Sequence, residues 1–259
     1  MELVLLGTGT CSVTANRSMA AHLIKTKGAN ILLDCGPGAI RRLSEEPVPA
    51  RDISAILVSH LHLDHVSDIP AVLFCNRNDP FHPKEGPLAI FGPVGLASFM
   101  KKMRSAYGES ISADSYKLAI TEITPSSARW FKIGESLRFR SFRMSHGSKA
   151  ALGYRIEERA GSRTRTMAYT GDTDTCLELH KLAKNADLLL CECSMPDGMK
   201  ISGHLTASEA GEAARLARAK KLVLTHMYPP CAHQPIRRQA AGIFGGEVIV
   251  GADLMRIKL

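Results

Sequence analysis

The sequence has little that would place the protein in a membrane or in an oxidising compartment. No apolar run approaches the roughly 20 residues that cross a bilayer. The segment from Met1 to Gly7 has neither a basic start nor a long apolar stretch, so it does not resemble a signal peptide. The seven cysteines are odd in number and scattered, which argues against a disulfide framework. We therefore expect a cytoplasmic protein with no membrane contact.

Aromatic residues make up only 5% of the chain, and no repeat or low-complexity tract is present. The scarcity of aromatic residues argues against a platform on which single-stranded bases stack. What is present is an ordinary globular composition, with 45% hydrophobic and 22% charged residues over 259 residues. The formal net charge of +8 favours anionic partners without naming them. Since no linker marks a boundary, we expect one domain over residues 1–259.

Strand-like segments, rich in β-branched and other apolar residues, alternate with helix-like segments. The helix at 206–219 is the best marked, because Thr206 and Glu209 have the spacing of a capping box. We predict further helices at 37–46, 67–76, 93–106, 175–184 and 235–244, and strands at 2–6, 20–26, 30–34, 53–59, 88–91, 116–123, 136–144, 152–157, 166–170, 187–191, 221–225, 247–250 and 254–258. Several strands between 116 and 170 follow one another directly, so a purely parallel sheet is disfavoured. The fold class is α/β, with helices covering sheets.

The densest group of chemistry-bearing side chains lies between an apolar strand and a helix, in the segment His60-Leu61-His62-Leu63-Asp64-His65. Without a cation, three imidazoles and a carboxylate in so short a segment would lack partners, and protonated rings would repel one another. Zinc binds neutral imidazole at about 2.0–2.1 Å and carboxylate at about 2.0–2.2 Å. The segment therefore indicates a metal site rather than a solvated polar loop.

Three further polar residues each lie just beyond a predicted strand: His146, Asp172 and His226. Taken singly, each is unremarkable, because a lone histidine is more often structural and Gly-Asp is a common turn. Together they indicate a site, because α/β proteins bind ligands at the edge of the sheet where strand ends converge.

This histidine and aspartate set resembles that of the metallo-β-lactamase fold, and more narrowly that of its tRNase Z-like phosphodiesterase branch. The resemblance extends over nearly the whole chain and includes Leu6-Gly7-Thr8-Gly9-Thr10, Asn16-Arg17, Leu33-Asp34-Cys35-Gly36 and Phe91-Gly92-Pro93-Val94-Gly95-Leu96. It implies a four-layer αββα sandwich. It also implies a hydrolase with two divalent metal ions, for which zinc is favoured and manganese or iron are alternatives.

By that resemblance, one metal ion is held by His60, His62 and His146, the other by Asp64, His65 and His226, and Asp172 bridges the two. Two cations about 3.5–4 Å apart can activate a water molecule at neutral pH and stabilise the oxygens of an in-line displacement. The expected substrate is a small anionic phosphodiester or nucleotide. The branch also suggests a homodimer.

A further pair that the resemblance implies is Glu192 with His204, which we assign to catalysis together with Asp64. A histidine held by a carboxylate keeps its proton more readily. His204 could therefore bind a phosphoryl oxygen or protonate the leaving group.

Two features leave alternatives open. The branch usually has histidine where Cys191 stands, and Cys191 with Cys193 could form a metal site of their own. Asp34 could orient His60 or another ligand through its ring N–H. Asp34 could equally cap the helix that begins near Pro37.

The tRNA-processing members of the branch carry a long glycine- and lysine-rich arm between the third and fourth motifs. Here His146 and Asp172 are 26 residues apart, and two strands with a turn at 157–163 fill that span. We therefore expect a smaller phosphodiester rather than nucleic acid, with tRNA 3′-end cleavage as an alternative. The same fold is also compatible with hydrolysis of a different ester, a sulfate or a thioester, and with a non-catalytic RNA-binding protein that keeps a structural metal site.

Overall fold

Two seven-stranded sheets and seven α-helices make up the computed structural model, which describes residues 1–124, 129–147 and 150–259. The strands are β1 (Glu2–Gly7), β2 (Ala21–Lys25), β3 (Asn30–Leu33), β4 (Ile53–Leu57), β5 (Leu88–Pro93), β6 (Leu118–Ile123), β7 (Phe131–Ile133), β8 (Leu137–Met144), β9 (Ala151–Ala160), β10 (Arg163–Tyr169), β11 (Leu188–Glu192), β12 (Lys221–Thr225), β13 (Glu247–Val250) and β14 (Arg256–Lys258). The helices are α1 (Ala39–Leu43), α2 (Leu63–Val66), α3 (Ile69–Asn78), α4 (Leu96–Tyr107), α5 (Leu177–Ala183), α6 (Ala207–Ala217) and α7 (Ile236–Phe244).

Both sheets are mixed, and each has an antiparallel half and a parallel half. The first sheet has the order β14-β1-β2-β3-β4-β5-β6, and its strands are parallel from β3 to β6. The second has the order β13-β12-β11-β10-β9-β8-β7, and its strands are parallel from β10 to β13. The prediction that the sheets are not purely parallel is confirmed.

Alternation along the strands produces three hydrophobic clusters and hence four layers. In β1, Leu3 and Leu5 face the second sheet, whereas Val4 and Leu6 face the helices α1, α3 and α4. On the far side of the second sheet, α5, α6 and α7 pack on Leu189, Leu222 and their neighbours. Each sheet has two apolar faces, and both must be buried: one packs on the other sheet and one on a layer of helices. The predicted αββα sandwich is confirmed.

Three local features differ from the sequence-based expectation. The predicted helix at 67–76 is α3, which begins two residues later, with Pro70 in its first turn, where a missing N–H costs nothing; the short α2, inside the histidine segment, was not predicted. The three-residue β7 was not predicted, since three residues are too few for an alternating pattern to show; it pairs with β8, where Phe131 stacks on Phe139 with ring centroids 5.2 Å apart. The expected turn at 157–163 is only Gly161 and Ser162, because cross-strand pairing continues as far as Ala160 opposite Arg163.

The carboxyl ends of strands from both sheets lie at one edge of the sandwich, and they carry the candidate site. His60 follows β4, His146 follows β8, Asp172 follows β10 and His226 follows β12, while Glu192 ends β11. Among the described residues, no helix combines the length and the apolar character needed to cross a bilayer.

Candidate metal centre

The histidine segment is held over the turn that follows β3. Cys35 donates its N–H to the carbonyl of His65 at 2.7 Å. A Cβ atom at Gly36 would lie 2.0 Å from the carbonyl oxygen of Asp64, so only glycine allows this approach. The backbone therefore fixes where α2 begins and where its side chains point.

The first group of potential ligands consists of His60, His62, His146 and Asp172. Nδ1 of His62 lies 2.9 Å from Nε2 of His60 and 3.2 Å from Nε2 of His146. Oδ2 of Asp172 lies 3.7 Å from Nε2 of His60 and 3.9 Å from Nε2 of His146. Two atoms that bind one zinc ion at about 2.0–2.2 Å in a tetrahedron are about 3.3–3.6 Å apart. The four atoms are therefore spaced as the ligands of one cation.

The second group consists of Asp64, His65 and His226. Their Nε2 and Oδ2 atoms form a triangle: 3.3 Å between the two histidines, 3.8 Å from His65 to Asp64 and 3.6 Å from His226 to Asp64. Oδ1 of Asp172 lies 3.4 Å from Nε2 of His65 and 3.3 Å from Nε2 of His226. This second set has the same spacing as the first.

Asp172 lies between the two groups and presents one carboxylate oxygen to each. The residue is 3% exposed, and its Oδ1 atom is buried with no hydrogen-bond partner among the described residues. A buried carboxylate oxygen without a donor is costly unless a cation lies against it. The residues present therefore fit a pair of divalent cations.

Four of the histidines are oriented through the ring nitrogen that faces away from the cluster. Nδ1 of His65 lies 2.7 Å from Asp34, and Nδ1 of His146 lies 2.9 Å from the carbonyl of Gly203. Nδ1 of His60 and of His226 each contact a serine hydroxyl, at 3.0 and 3.1 Å. With the proton on Nδ1, the lone pair of Nε2 points into the cluster, which is the arrangement that metal-binding histidines adopt.

Charge and burial set the protonation of the cluster. Burial, together with the charges of neighbouring histidines, lowers the pKa of His60 and of His62, so both rings are neutral. Burial opposes charge on His65, but Asp172 and Asp34 outweigh it and raise the pKa of His65 well above its usual range. Burial likewise opposes charge on Asp172, but His226 and His65 hold its pKa well below its usual range. Neutral nitrogens beside an ionised carboxylate suit a divalent cation, which competes with a proton at His65.

Glu192 and His204 meet beside the cluster. Oε1 of Glu192 lies 3.1 Å from Nδ1 of His204 and accepts the N–H of Thr173 at 2.6 Å, while Oε2 accepts the hydroxyl of Ser194 at 2.6 Å and the N–H of Leu205 at 3.1 Å. Burial opposes protonation of His204, but the hydrogen bond and the charge of Glu192 raise its pKa. Nδ1 of His204 is also 4.0 Å from Asp172, so His204 could serve as a ligand instead.

The structure decides the alternatives for Asp34. Its carboxylate accepts from Ser59, Tyr169 and His65, all at 2.6–2.7 Å, and its φ is +55°. It therefore orients His65 rather than His60. The expectation that it caps a helix near Pro37 is wrong, because Asp68 accepts the N–H groups at the start of α1.

The separate cysteine site is not supported. Cys191 and Cys193 are both in the cluster that packs under α5 to α7, and no group of potential ligands within the described residues includes a cysteine. Burial raises the pKa of the Cys191 thiol, which keeps it protonated. Ser59 and Ser194, which link the histidines to Asp34 and Glu192, were not identified from the sequence; their position at strand ends was the only signal.

Comparison with known proteins places the chain in a family. A family model described as a β-lactamase superfamily domain matches residues 29–227. Ribonuclease Z from Mycobacterium sp. (strain KMS) is 30% identical, in an alignment that covers 100% of this chain and 96% of that protein. The metallo-β-lactamase fold protein YhfI from Bacillus subtilis has a TM-score of 0.81 at 25% identity, covering 99% and 98% of the two chains. The short form of human tRNase Z has a TM-score of 0.80 at 26% identity, covering 100% and 99%.

The likeness extends over the full length of this chain and includes the strands that carry the histidine and aspartate set. The donors in that set are those that divalent metals bind. The chain belongs to the β-lactamase superfamily, as a tRNase Z-like, metal-dependent hydrolase with phosphodiesterase activity.

Proposed function

We propose that the chain is a dinuclear zinc phosphodiesterase that cleaves a small anionic phosphodiester or nucleotide. One ion would be held by His60, His62 and His146, and the other by Asp64, His65 and His226, with Asp172 shared. When bound, the ions would lower the pKa of a water molecule and offset the charge on the phosphoryl oxygens. Manganese and iron are the alternatives to zinc, because imidazole and carboxylate bind all three.

The observation that carries the proposal is the division of the Asp172 carboxylate, with Oδ2 facing one group of histidines and Oδ1 facing the other. A carboxylate with one site on each side would keep two cations within the separation that in-line displacement at phosphorus requires. A single structural ion would need only one of these oxygens. Asp64, whose side chain is 13% exposed, would hold its ion at the open side of the site.

The proposed role of His204 is to hold a proton at Nε2, facing the substrate. Its Nδ1 is occupied by Glu192 and Ser194, whereas Nε2 makes no hydrogen bond among the described residues. The raised pKa of His204 favours the charged form of the ring. A charged ring could bind a phosphoryl oxygen or protonate the leaving oxygen, and Glu192 would act by keeping His204 in that state.

The two-residue turn between β9 and β10 supports the choice of a small substrate. Ala160 pairs with Arg163, so only Gly161 and Ser162 occupy the span in which the tRNA-gripping arm of the branch would lie. Arg159, Arg163 and Arg165 on this hairpin are exposed, and Arg165 is 3.9 Å from Glu158. Exposed arginines on a hairpin are usually a solvated face.

The second candidate is cleavage of tRNA at its 3′ end. The full-length match to proteins named ribonuclease Z and the human tRNase Z structure favour it. A homodimer, a cytoplasmic location and a single domain over 1–259 also remain predictions. The odd number of cysteines, all free thiols, supports the cytoplasmic assignment.

Elemental analysis of the purified protein, followed by a substrate panel, tests the proposal. We expect two zinc ions per chain and hydrolysis of bis(p-nitrophenyl) phosphate well above that of an aryl sulfate or a thioester. The panel also includes a precursor tRNA with a 3′ trailer, and faster cleavage of that RNA would favour the second candidate.

The Asp172→Ala variant should lose turnover and bind less metal. Asp114→Ala is the control, because Asp114 is an exposed aspartate that pairs with Arg77 at 2.7 Å and contacts none of the histidines. Full activity in Asp172→Ala would refute the bridging role, and a single ion per chain would refute the dinuclear site.

A further inference from the structure

A groove of about 1020 Å³ lies at the edge of the sandwich opposite the metal centre. It is bordered by the turn between β2 and β3, the segment before β5, the starts of β4 and β6, and β7. Ala89, Phe91 and Ile133 form an apolar floor that continues into the core between the sheets. From this edge to the metal centre, the chain runs the whole length of β4, from Asp52 to His60, which is about 25 Å of extended backbone.

The rim of this groove is cationic. Lys27, Lys117 and Lys132 line it, all three are exposed, and none has a carboxylate oxygen within 4.0 Å among the described residues. By contrast, Lys25 at the end of β2 is paired, since it contacts Glu2 at 3.2 Å and Glu46 at 3.6 Å. The groove therefore concentrates unpaired positive charge over an apolar floor.

Two carboxylates also line the groove, and they do not cancel its charge. Asp52 lies 3.5 Å from the guanidinium of Arg51, which is itself a lining residue. Glu85 is the other acid. Four lysines and one arginine against two acids leave a net charge of +3 on the lining, which attracts anions.

The segment before β5 presents an aromatic ring at the same rim. Asp79 accepts the N–H groups of Phe81 and His82 at 2.9 and 3.1 Å, and this turn leaves Phe81 83% exposed. Lys84 holds the segment in place, because its buried ammonium donates to the carbonyls of Arg51 and Ile53 at 2.7 and 3.0 Å. Phe81 thus stands on an anchored segment rather than on a free loop.

We propose that this groove binds a phosphorylated, base-bearing ligand, either a free nucleotide or the end of an RNA strand. Lys27, Lys117 and Lys132 would contact phosphate, and Phe81 would stack on a base. The combination matches both parts of a nucleotide, since ammonium groups bind phosphate oxygens and aromatic rings stack on bases of any sequence. The volume is that of a small-molecule site. The groove is separate from the metal centre and does not depend on its proposed function.

Binding to the intact, metal-loaded protein tests the proposal with two probes. One is a fluorescein-labelled hexa-adenylate with a 2′-O-methyl phosphorothioate backbone, which resists hydrolysis, followed by anisotropy. The other is adenosine 5′-monophosphate, measured by its displacement of the first. The variants are a groove triple, Lys27→Ala with Lys117→Ala and Lys132→Ala, and a control triple, Lys101→Ala with Lys102→Ala and Lys184→Ala, whose lysines are exposed and unpaired elsewhere on the described surface.

We expect the groove triple to weaken hexa-adenylate binding at least tenfold. It should also lower the slope of log affinity against log salt by about 2, since each phosphate contact of a single strand contributes about 0.7. Phe81→Ala should weaken binding roughly tenfold without changing that slope. Both triples should hydrolyse bis(p-nitrophenyl) phosphate at the wild-type rate, because none of these lysines belongs to the metal centre; this measurement reports on the proposed function separately.

Displacement by adenosine 5′-monophosphate that is lost in the groove triple would identify a free nucleotide as the ligand. Binding of the hexa-adenylate alone would identify an RNA strand. Equal weakening in the two triples would overturn the proposal, because net charge alone would then explain binding. Failure of the wild-type protein to bind either probe would overturn it as well.

Discussion

Replacing Asp34 with Asn should weaken the site of His65 far more than the site of His60. Asp34 is fully buried and its carboxylate accepts four hydrogen bonds at 2.6–2.7 Å, from the N–H and hydroxyl of Ser59, the hydroxyl of Tyr169 and Nδ1 of His65. The amide of Asn removes the charge and replaces one accepting oxygen with an NH₂ group. At least one N–H or O–H group that now donates to Asp34 would then face this NH₂ donor.

The magnitude follows from those contacts. Loss of a buried, hydrogen-bonded charge destabilises a protein by about 3–5 kcal/mol, against a usual total of about 5–15 kcal/mol. Loss of a residue that orients a metal-bound histidine lowers metal affinity by about 10- to 100-fold. Because His65 would hold only the ion shared with Asp64 and His226, we expect one ion per chain to be lost first.

The assay is a competitive titration with a chromophoric chelator, combined with elemental analysis and chemical denaturation. Asp68→Asn is the matched control, because Asp68 accepts two N–H groups at the start of α1 and contacts no histidine. Tyr169→Phe removes a single bond to Asp34 and keeps the charge, so it tests the same network should Asp34→Asn not fold. Equal loss of both ions, or unchanged affinity in Asp34→Asn, would refute the reasoning.

Three further outcomes are expected. His204→Ala should lower kcat by about 10²- to 10⁴-fold with both ions bound; loss of an ion would instead make His204 a ligand. Metal affinity should rise with pH through neutrality, by up to tenfold per unit, because the raised pKa of His65 means that a cation must displace a proton there; an affinity independent of pH would contradict this. Burial lowers the pKa of His22 to about 3, so the unfolded chain binds the extra proton between pH 6.5 and about 3. Below pH 6.5, the free energy of unfolding should therefore fall by up to about 1.4 kcal/mol per unit relative to His22→Leu, as measured by urea denaturation.

The seven potential ligands could be predicted because each lies within a few residues of a strand end. Strand ends converge at one edge of a sheet, so the sequence positions of His146, Asp172 and His226 were enough to bring them towards the histidine segment. The pairing of Glu192 with His204 came from family resemblance, since the two residues are 12 positions apart and neither carries a local signal.

What could not be predicted depends on contacts between distant parts of the chain. Asp34 contacts His65 rather than His60 because its backbone has a positive φ and because its carboxylate accepts a hydrogen bond from the hydroxyl of Tyr169, 135 residues away. Ser59 and Ser194 look like any serine after a strand. The short β7 is different: its partner β8 is the next strand, and β7 was missed because three residues carry too little pattern.

Each proposed cation would draw its ligands from both halves of the sandwich. His60, His62, Asp64 and His65 come from the first sheet, whereas His146, Asp172 and His226 come from the second. Ion uptake would therefore clamp one half of the molecule to the other and resist any sliding of the sheets. At a free metal concentration a thousandfold above its Kd, each ion would add about 4 kcal/mol to the cohesion of the two halves. A chelator should accordingly lower the free energy of unfolding of the whole protein as well as abolish its activity.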